Sequence, residues 1–151
     1  MMMSSQTVRL VSALALSLGC LSLGCKPVNK PAPPAESNLK VLSVFYGRYI
    51  QTHQGQTPPD AEAFKKFITS MPASELETFK VTDVEKLFVS PRDGQLCVVR
   101  YGFALPPPGP TGAPVVAYEK VGVNGRRYVA YSVGGVDEVD EARFRQLVPQ
   151  T

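Results

Sequence analysis

The stretch VVAYEKVGVNGRRYVAYSVGGVDEV, residues 115–139, changes the period of the chain and decides its fold class. Residues 115–121 alternate in strand fashion, residues 127–133 do the same, and Asn124-Gly125 stands between them. An Asn-Gly pair between alternating runs specifies a hairpin with a type I′ turn, because both central residues must take positive φ and these two types do so at least cost. Gly134-Gly135 offers a second tight turn into a run over residues 136–139. Upstream, residues 96–101 alternate as well, and Pro91-Arg92-Asp93-Gly94 marks a turn ahead of them. Between the first two strands, residues 105–114 contain five prolines and two glycines and read as an irregular surface loop. The second half therefore predicts three to four antiparallel strands.

The first half has a different rhythm. Leu39, Leu42, Phe45 or Tyr46, Tyr49 and Ile50 recur at helical spacing, with Ser37 or Asn38 available as an N-cap, so residues 38–53 predict an amphipathic helix. Thr57-Pro58-Pro59-Asp60 signals a second helix, with Thr57 as cap, Pro58 at the first helical position and Phe64, Phe67, Ile68 and Met71 as its inward stripe. Ser74 is a candidate cap for a short turn carrying Leu76 and Phe79, and Thr82 or Asp83 for another carrying Val84, Leu87 and Phe88. Asp140 is placed to cap a closing helix with Phe144, Leu147 and Val148 on its apolar side. Helices first and strands afterwards predict one α+β domain over residues 38–151, with the long helix across one face of the sheet. Tyr118, Tyr128 and Tyr131 fall on strand positions and read as core.

Ahead of that domain lie two segments of another kind. Three methionines, a polar stretch with the single charge Arg9, and then about 15 mostly apolar residues form a signal-peptide pattern. The run is too short for a membrane span, which needs roughly 20 apolar residues. Its end repeats Leu-Ser-Leu-Gly-Cys at residues 16–20 and 21–25, and each copy resembles a bacterial lipobox, in which a small residue precedes the cysteine that is acylated. In a lipobox the leucine usually stands three residues before the cysteine; here Ser17 or Ser22 holds that place. Cys25 is the favoured lipidation site, since it closes the apolar run and is followed by Lys26-Pro27, with Cys20 as the alternative. The resemblance implies a cleaved leader over residues 1–25, a thioether-linked diacylglyceryl group, and attachment to the extracytoplasmic side of a membrane. Each buried CH₂ contributes about 0.8 kcal/mol, so two or three acyl chains hold where one binds transiently. Residues 26–37, KPVNKPAPPAES, then read as a proline-rich tether of about 35 Å.

Composition narrows the function. Arg9, Lys26, Lys30 and Glu36 precede the domain, leaving it 13 basic and 12 acidic side chains. That near-neutral balance, without a basic stripe, speaks against a nucleic-acid partner. Ser-His-Asp and Cys-His mechanisms need a histidine base, and the only one, His53, stands at a helix end and reads as solvated or capping. With Cys25 lipidated, Cys97 is the remaining thiol and reads as buried; cleavage before Cys20 would instead leave a Cys25–Cys97 bridge open. One histidine and one thiol do not make a zinc site. Glu75 and Glu77, and Asp137, Glu138, Asp140 and Glu141, fall in segments that read as exposed. No catalytic, metal or cofactor-binding residue is expected, and no cofactor.

The order of elements resembles the periplasmic part of bacterial pseudopilins, the pilin-like subunits of type II secretion. The soluble half of that group begins with a helix ending in Tyr-x-x-x-x-Gly-x-x-Pro, which Tyr49 to Gly55 and Pro58 approximate with one extra residue. Ser90-Pro91-Arg92-Asp93-Gly94 before the first strand is similar too, and residues 128–136, YVAYSVGGV, are similar to the group's Phe-Ala-Asp-Gly-His-Val hairpin. The chain departs from the group in carrying a lipobox and tether where a prepilin has a long polymerising helix. The group's His-x₉-Asp-Gly is absent, since Val123 and Val133 occupy the His and Asp positions. The resemblance implies a pseudopilin-like α+β fold. The expectation is a non-enzymatic, membrane-anchored envelope lipoprotein that contacts an as yet unidentified envelope protein. The alternative is an extracytoplasmic small-ligand-binding module, its pocket between the first helix and the sheet and bordered by the loop at residues 105–114.

Overall fold

Nineteen residues of helix α1, Pro34–Thr52, form the axis on which the rest is packed. The computed structural model describes residues 34–105 and 112–148, so the leader, Cys20, Cys25 and residues 26–33 lie outside the described residues. The helix starts four residues before the expected position and takes up the last part of the segment read as tether. Ser37 and Asn38, the expected caps, both fall within it. Asn38 lies inside the helix and donates from Nδ2 to the carbonyls of Val89 (3.0 Å) and Lys86 (3.3 Å), because a tertiary partner has claimed its amide. At the other end the chain leaves through Gln54 and Gly55, both at positive φ, and the Gly55 N–H reaches back to the Ile50 carbonyl at 2.9 Å.

Three short helices line one flank of α1: α2 (Ala61–Thr69), α3 (Ala73–Thr78) and α4 (Val84–Leu87). Their caps differ in part from expectation. Asp60, not Thr57, caps α2 by accepting the Ala63 N–H, while Thr57 donates its hydroxyl to the Phe103 carbonyl at 2.8 Å. Pro72, not Ser74, precedes α3, and Asp83 caps α4 as one of the two expected choices. Phe64 and Ile68 of α2 are buried. Edge-on ring pairs bind the helices together, Tyr46 with Phe64 at 5.5 Å and Phe45 with Phe79 at 5.3 Å.

The strands β1 (Val98–Val99), β2 (Val115–Tyr118), β3 (Arg126–Tyr131) and β4 (Val136–Asp140) form one antiparallel sheet in the order β1-β2-β3-β4. The α+β class and the meander thus stand. Asn124 and Gly125 take φ of 54° and 71° and close the β2–β3 hairpin, with paired hydrogen bonds between Val123 and Arg126. Two strands are shorter than their patterns. Leu96 and Cys97 pair back onto Val89 and Phe88, which stops β1 from extending toward its N-terminal side, and β2 ends where Glu119 turns its side chain to other duty.

Hydrophobic packing occupies both faces of the sheet. On one, Leu42, Phe45 and Tyr46 of α1 meet Val116, Ala117 and Ala130, all at most 1% exposed. The leucine, phenylalanine and valine among them contribute about 1.5–3 kcal/mol each when fully buried. On the other, α5 (Glu141–Leu147), capped by Asp140 as expected, sets Phe144 and the following Val148 against Val115, Val129 and Val139. An irregularity between Val115 and Ala117 lets β2 send Val115 to one face and both Val116 and Ala117 to the other. Helix α1 comes so near the end of β3 that a Cβ on Gly47 would lie 2.9 Å from the Ser132 carbonyl oxygen.

Candidate functional site

The densest polar chemistry in the domain gathers around Glu119, a carboxylate with no exposed surface. Beyond Tyr118 the chain swings out toward the hairpin through Gly122, whose φ is +78° and where a Cβ would collide with the Arg126 carbonyl oxygen, so no side chain is admitted. The Glu119 N–H still donates to the Tyr128 carbonyl at 2.9 Å, and its carboxylate Oε2 accepts the Tyr128 N–H at 2.9 Å. Its Oε1 accepts the Ser90 hydroxyl at 2.7 Å and lies 3.7 Å from Arg92 Nε. A buried carboxylate is tolerable only when so partnered.

Arg92 completes the cluster from the turn before β1. Its guanidinium lies 4.6 Å from the Tyr128 ring centre, donates to Glu138 Oε1 at 2.7 Å, and donates to the carbonyls of Arg126 (3.2 Å) and Val123 (3.4 Å). Burial pulls the Arg92 pKa down, but the Glu138 hydrogen bond and the Glu119 charge outweigh it and leave it above its ordinary value. The Arg92 hydrogen bond in turn holds the Glu138 carboxyl below its usual range. Asp93 accepts the Gln95 N–H at Oδ1 and the Gly122 N–H at Oδ2 (3.1 Å). Ser90, Arg92 and Asp93 therefore clamp the hairpin. Ser90 is 1% exposed, so its hydroxyl meets the carboxylate and not solvent or substrate. Among the described residues no buried side-chain polar atom lacks a partner.

The residues singled out in the sequence are dispersed. Cys97 is 8% exposed, and burial, assisted by Glu119 and Asp93, pushes its pKa up to about 12, so it is a protonated thiol at neutral pH. His53 is exposed, lies parallel to the Tyr49 ring at 3.8 Å, and its Nδ1 is 2.9 Å from the Tyr49 carbonyl oxygen, which caps the end of α1. Glu75 pairs with Arg48 across α1 and α3, while Glu77 is exposed. Asp137 accepts the Tyr131 hydroxyl at 3.0 Å, and Glu141 pairs with Arg127 at 2.5 Å. Among the described residues no group of three or more His, Cys, Asp or Glu is placed to hold a metal ion, and no helix is long and apolar enough to cross a membrane.

The Glu119 cluster was not anticipated, though one signal existed: within the alternation of residues 115–121 a glutamate shares the phase of Ala117 and Val121. The interface between α1 and the sheet, where a ligand pocket was the alternative expectation, is filled by Leu42, Tyr46, Val116 and Ala130. A groove open to solvent lies instead between residues 54–57 and residues 102–105. The chain matches no protein-family profile, and no curated protein or solved structure matches it.

Proposed function

We propose that the chain is an extracytoplasmic lipoprotein of the bacterial envelope, held to lipid through Cys25 and presenting a pseudopilin-like domain to an envelope protein. The observation that carries this reading is the cysteine that closes the apolar run directly before Lys26-Pro27. Helix α1 opens at Pro34, so only residues 26–33 separate the proposed anchor from the folded body. The pseudopilin likeness draws support from a long first helix laid across a sequential antiparallel meander. A binding role through surfaces fits a domain whose buried acid, Glu119, is spent on holding its own loops together.

Processing tests the proposal directly. Globomycin, which blocks lipoprotein signal cleavage, is expected to accumulate the precursor, and Cys25→Ser to abolish acylation. The intact mass of membrane-extracted protein should correspond to residues 25–151 plus two or three acyl chains. A mature form beginning elsewhere with an unmodified N-terminus rejects the reading, and one beginning at residue 20 transfers the anchor to Cys20.

A further inference from the structure

We infer that the end of the domain carrying Leu96, Val121, Lys86 and Lys120 lies against an anionic bilayer surface. This inference rests on the proposed lipid anchor. Leu96 and Val121 are 63% and 60% exposed, large apolar side chains facing water at positions that neither stabilise a core nor close a turn. They fall at one end of the fold. Val98 pairs with Tyr118, so residues 96 and 120 follow at the same sheet end, and the Asp93–Gly122 hydrogen bond brings the hairpin beside the turn that precedes Leu96.

The start of α1 is at this end as well. Asn38 is hydrogen-bonded to the Lys86 and Val89 carbonyls, and Val89 is the bridge partner of Leu96. The chain thus enters the folded domain beside the patch. Residues 26–33 span at most about 29 Å even when fully extended, so a tether running from a lipid-linked Cys25 to this entry point would be short.

Charge selects the occupant. Lys40, Lys86 and Lys120 are exposed here, and among the described residues Lys40 and Lys120 belong to no ion pair, while Lys86 meets only Asp83 at 3.7 Å. The acids at this end are already engaged: Asp83 and Asp140 cap helices, both Asp93 oxygens accept backbone N–H groups, Glu85 pairs with Lys65, Glu138 with Arg92 and Arg126, and Glu141 with Arg127, while Glu36 is half-buried. Apolar side chains ringed by lysines suit insertion at the headgroup boundary of a negatively charged leaflet. The third exposed large apolar residue, Val133 at 79%, stands at the β3–β4 turn, the opposite end of the meander, and serves as an internal control.

The test uses the full-length, processed chain reconstituted in phosphatidylglycerol/phosphatidylethanolamine vesicles, with Val121→Cys or Val133→Cys labelled by a polarity-sensitive fluorophore. The unsubstituted chain gives the background from buried Cys97. A blue shift at position 121, none at 133, and loss of the shift in phosphatidylcholine vesicles are expected. Lys86→Ala with Lys120→Ala should weaken docking by about fivefold per lysine, and Leu96→Ser should reduce it independently. Equal emission from the two positions overturns the inference, as does a shift that persists in neutral lipid. A shift that grows with protein density in the vesicle overturns it in favour of a second copy of the chain. Intact mass of the same sample separates the two readings: an acylated chain with a silent probe rejects the docking alone, and an unacylated chain rejects the anchor and the docking with it.

Discussion

Glu119 and Tyr128 grip each other twice: the Glu119 N–H donates to the Tyr128 carbonyl, and the Glu119 carboxylate accepts the Tyr128 N–H, both at 2.9 Å. A side chain here performs the work of a strand carbonyl, at the point where the backbone of β2 departs for the hairpin. Removing it strands two donors, the Ser90 hydroxyl and the Tyr128 N–H, and takes away the buried charge 3.7 Å from Arg92 Nε. Glu119→Ala is expected to cost about 3–5 kcal/mol. Glu119→Gln keeps the shape and loses the charge, for about 1–3 kcal/mol. Urea unfolding reads both, and an alanine variant within about 0.5 kcal/mol of wild type would show that the carboxylate does not hold the loops.

Acid should weaken this region through Glu138. Its folded pKa lies below the ordinary carboxylate value because Arg92 donates to it, with Arg126 adding its charge. The associated stability is present above the unfolded pKa of about 4.3 and is lost as pH falls through the lower folded value. Urea midpoints measured from roughly pH 6 down to pH 3 should therefore fall more steeply for wild type than for Glu138→Gln. Parallel curves would refute the coupling.

Gly47→Ala sets two effects against each other. Helix propensity favours alanine by about 1 kcal/mol, but the new Cβ would sit 2.9 Å from the Ser132 carbonyl oxygen, which a strand end cannot yield freely. Overpacking of this kind costs about 1–3 kcal/mol, so a net loss is expected in thermal unfolding. A higher melting temperature would mean that α1 and the end of β3 are farther apart.

Cys97 should resist labelling. With its pKa pushed up to about 12 and 8% of its surface exposed, it offers almost no thiolate at neutral pH. Ellman's reagent should react with it only in denaturant. Rapid reaction of the folded protein would contradict its burial.

Local signals made much of the fold legible. The stripe through Leu39, Leu42, Phe45 and Tyr49 needs only its own spacing, and the Asn124-Gly125 turn only its own two residues. Two of the misassigned caps share one cause. Thr57 and Asn38 are both good capping residues by type, yet Phe103 lies 46 positions from the first and Val89 lies 51 from the second, and those distant carbonyls took their side chains. Glu119 was hidden for the same reason, since Ser90 is 29 positions away and no periodicity announces such a partner. The cysteines proposed for lipidation are read from the sequence alone, because they precede the described residues.

Glu119 also sets a requirement on any part of the domain cut out of it. A fragment starting at residue 96 would hold all four strands and α5, yet its carboxylate would lack Ser90 and Arg92 and would remain hydrated. Water at that point would keep the hairpin base from closing dry, so the meander is not a transplantable module. Any minimal excised version has to reach back through the turn at residues 90–95.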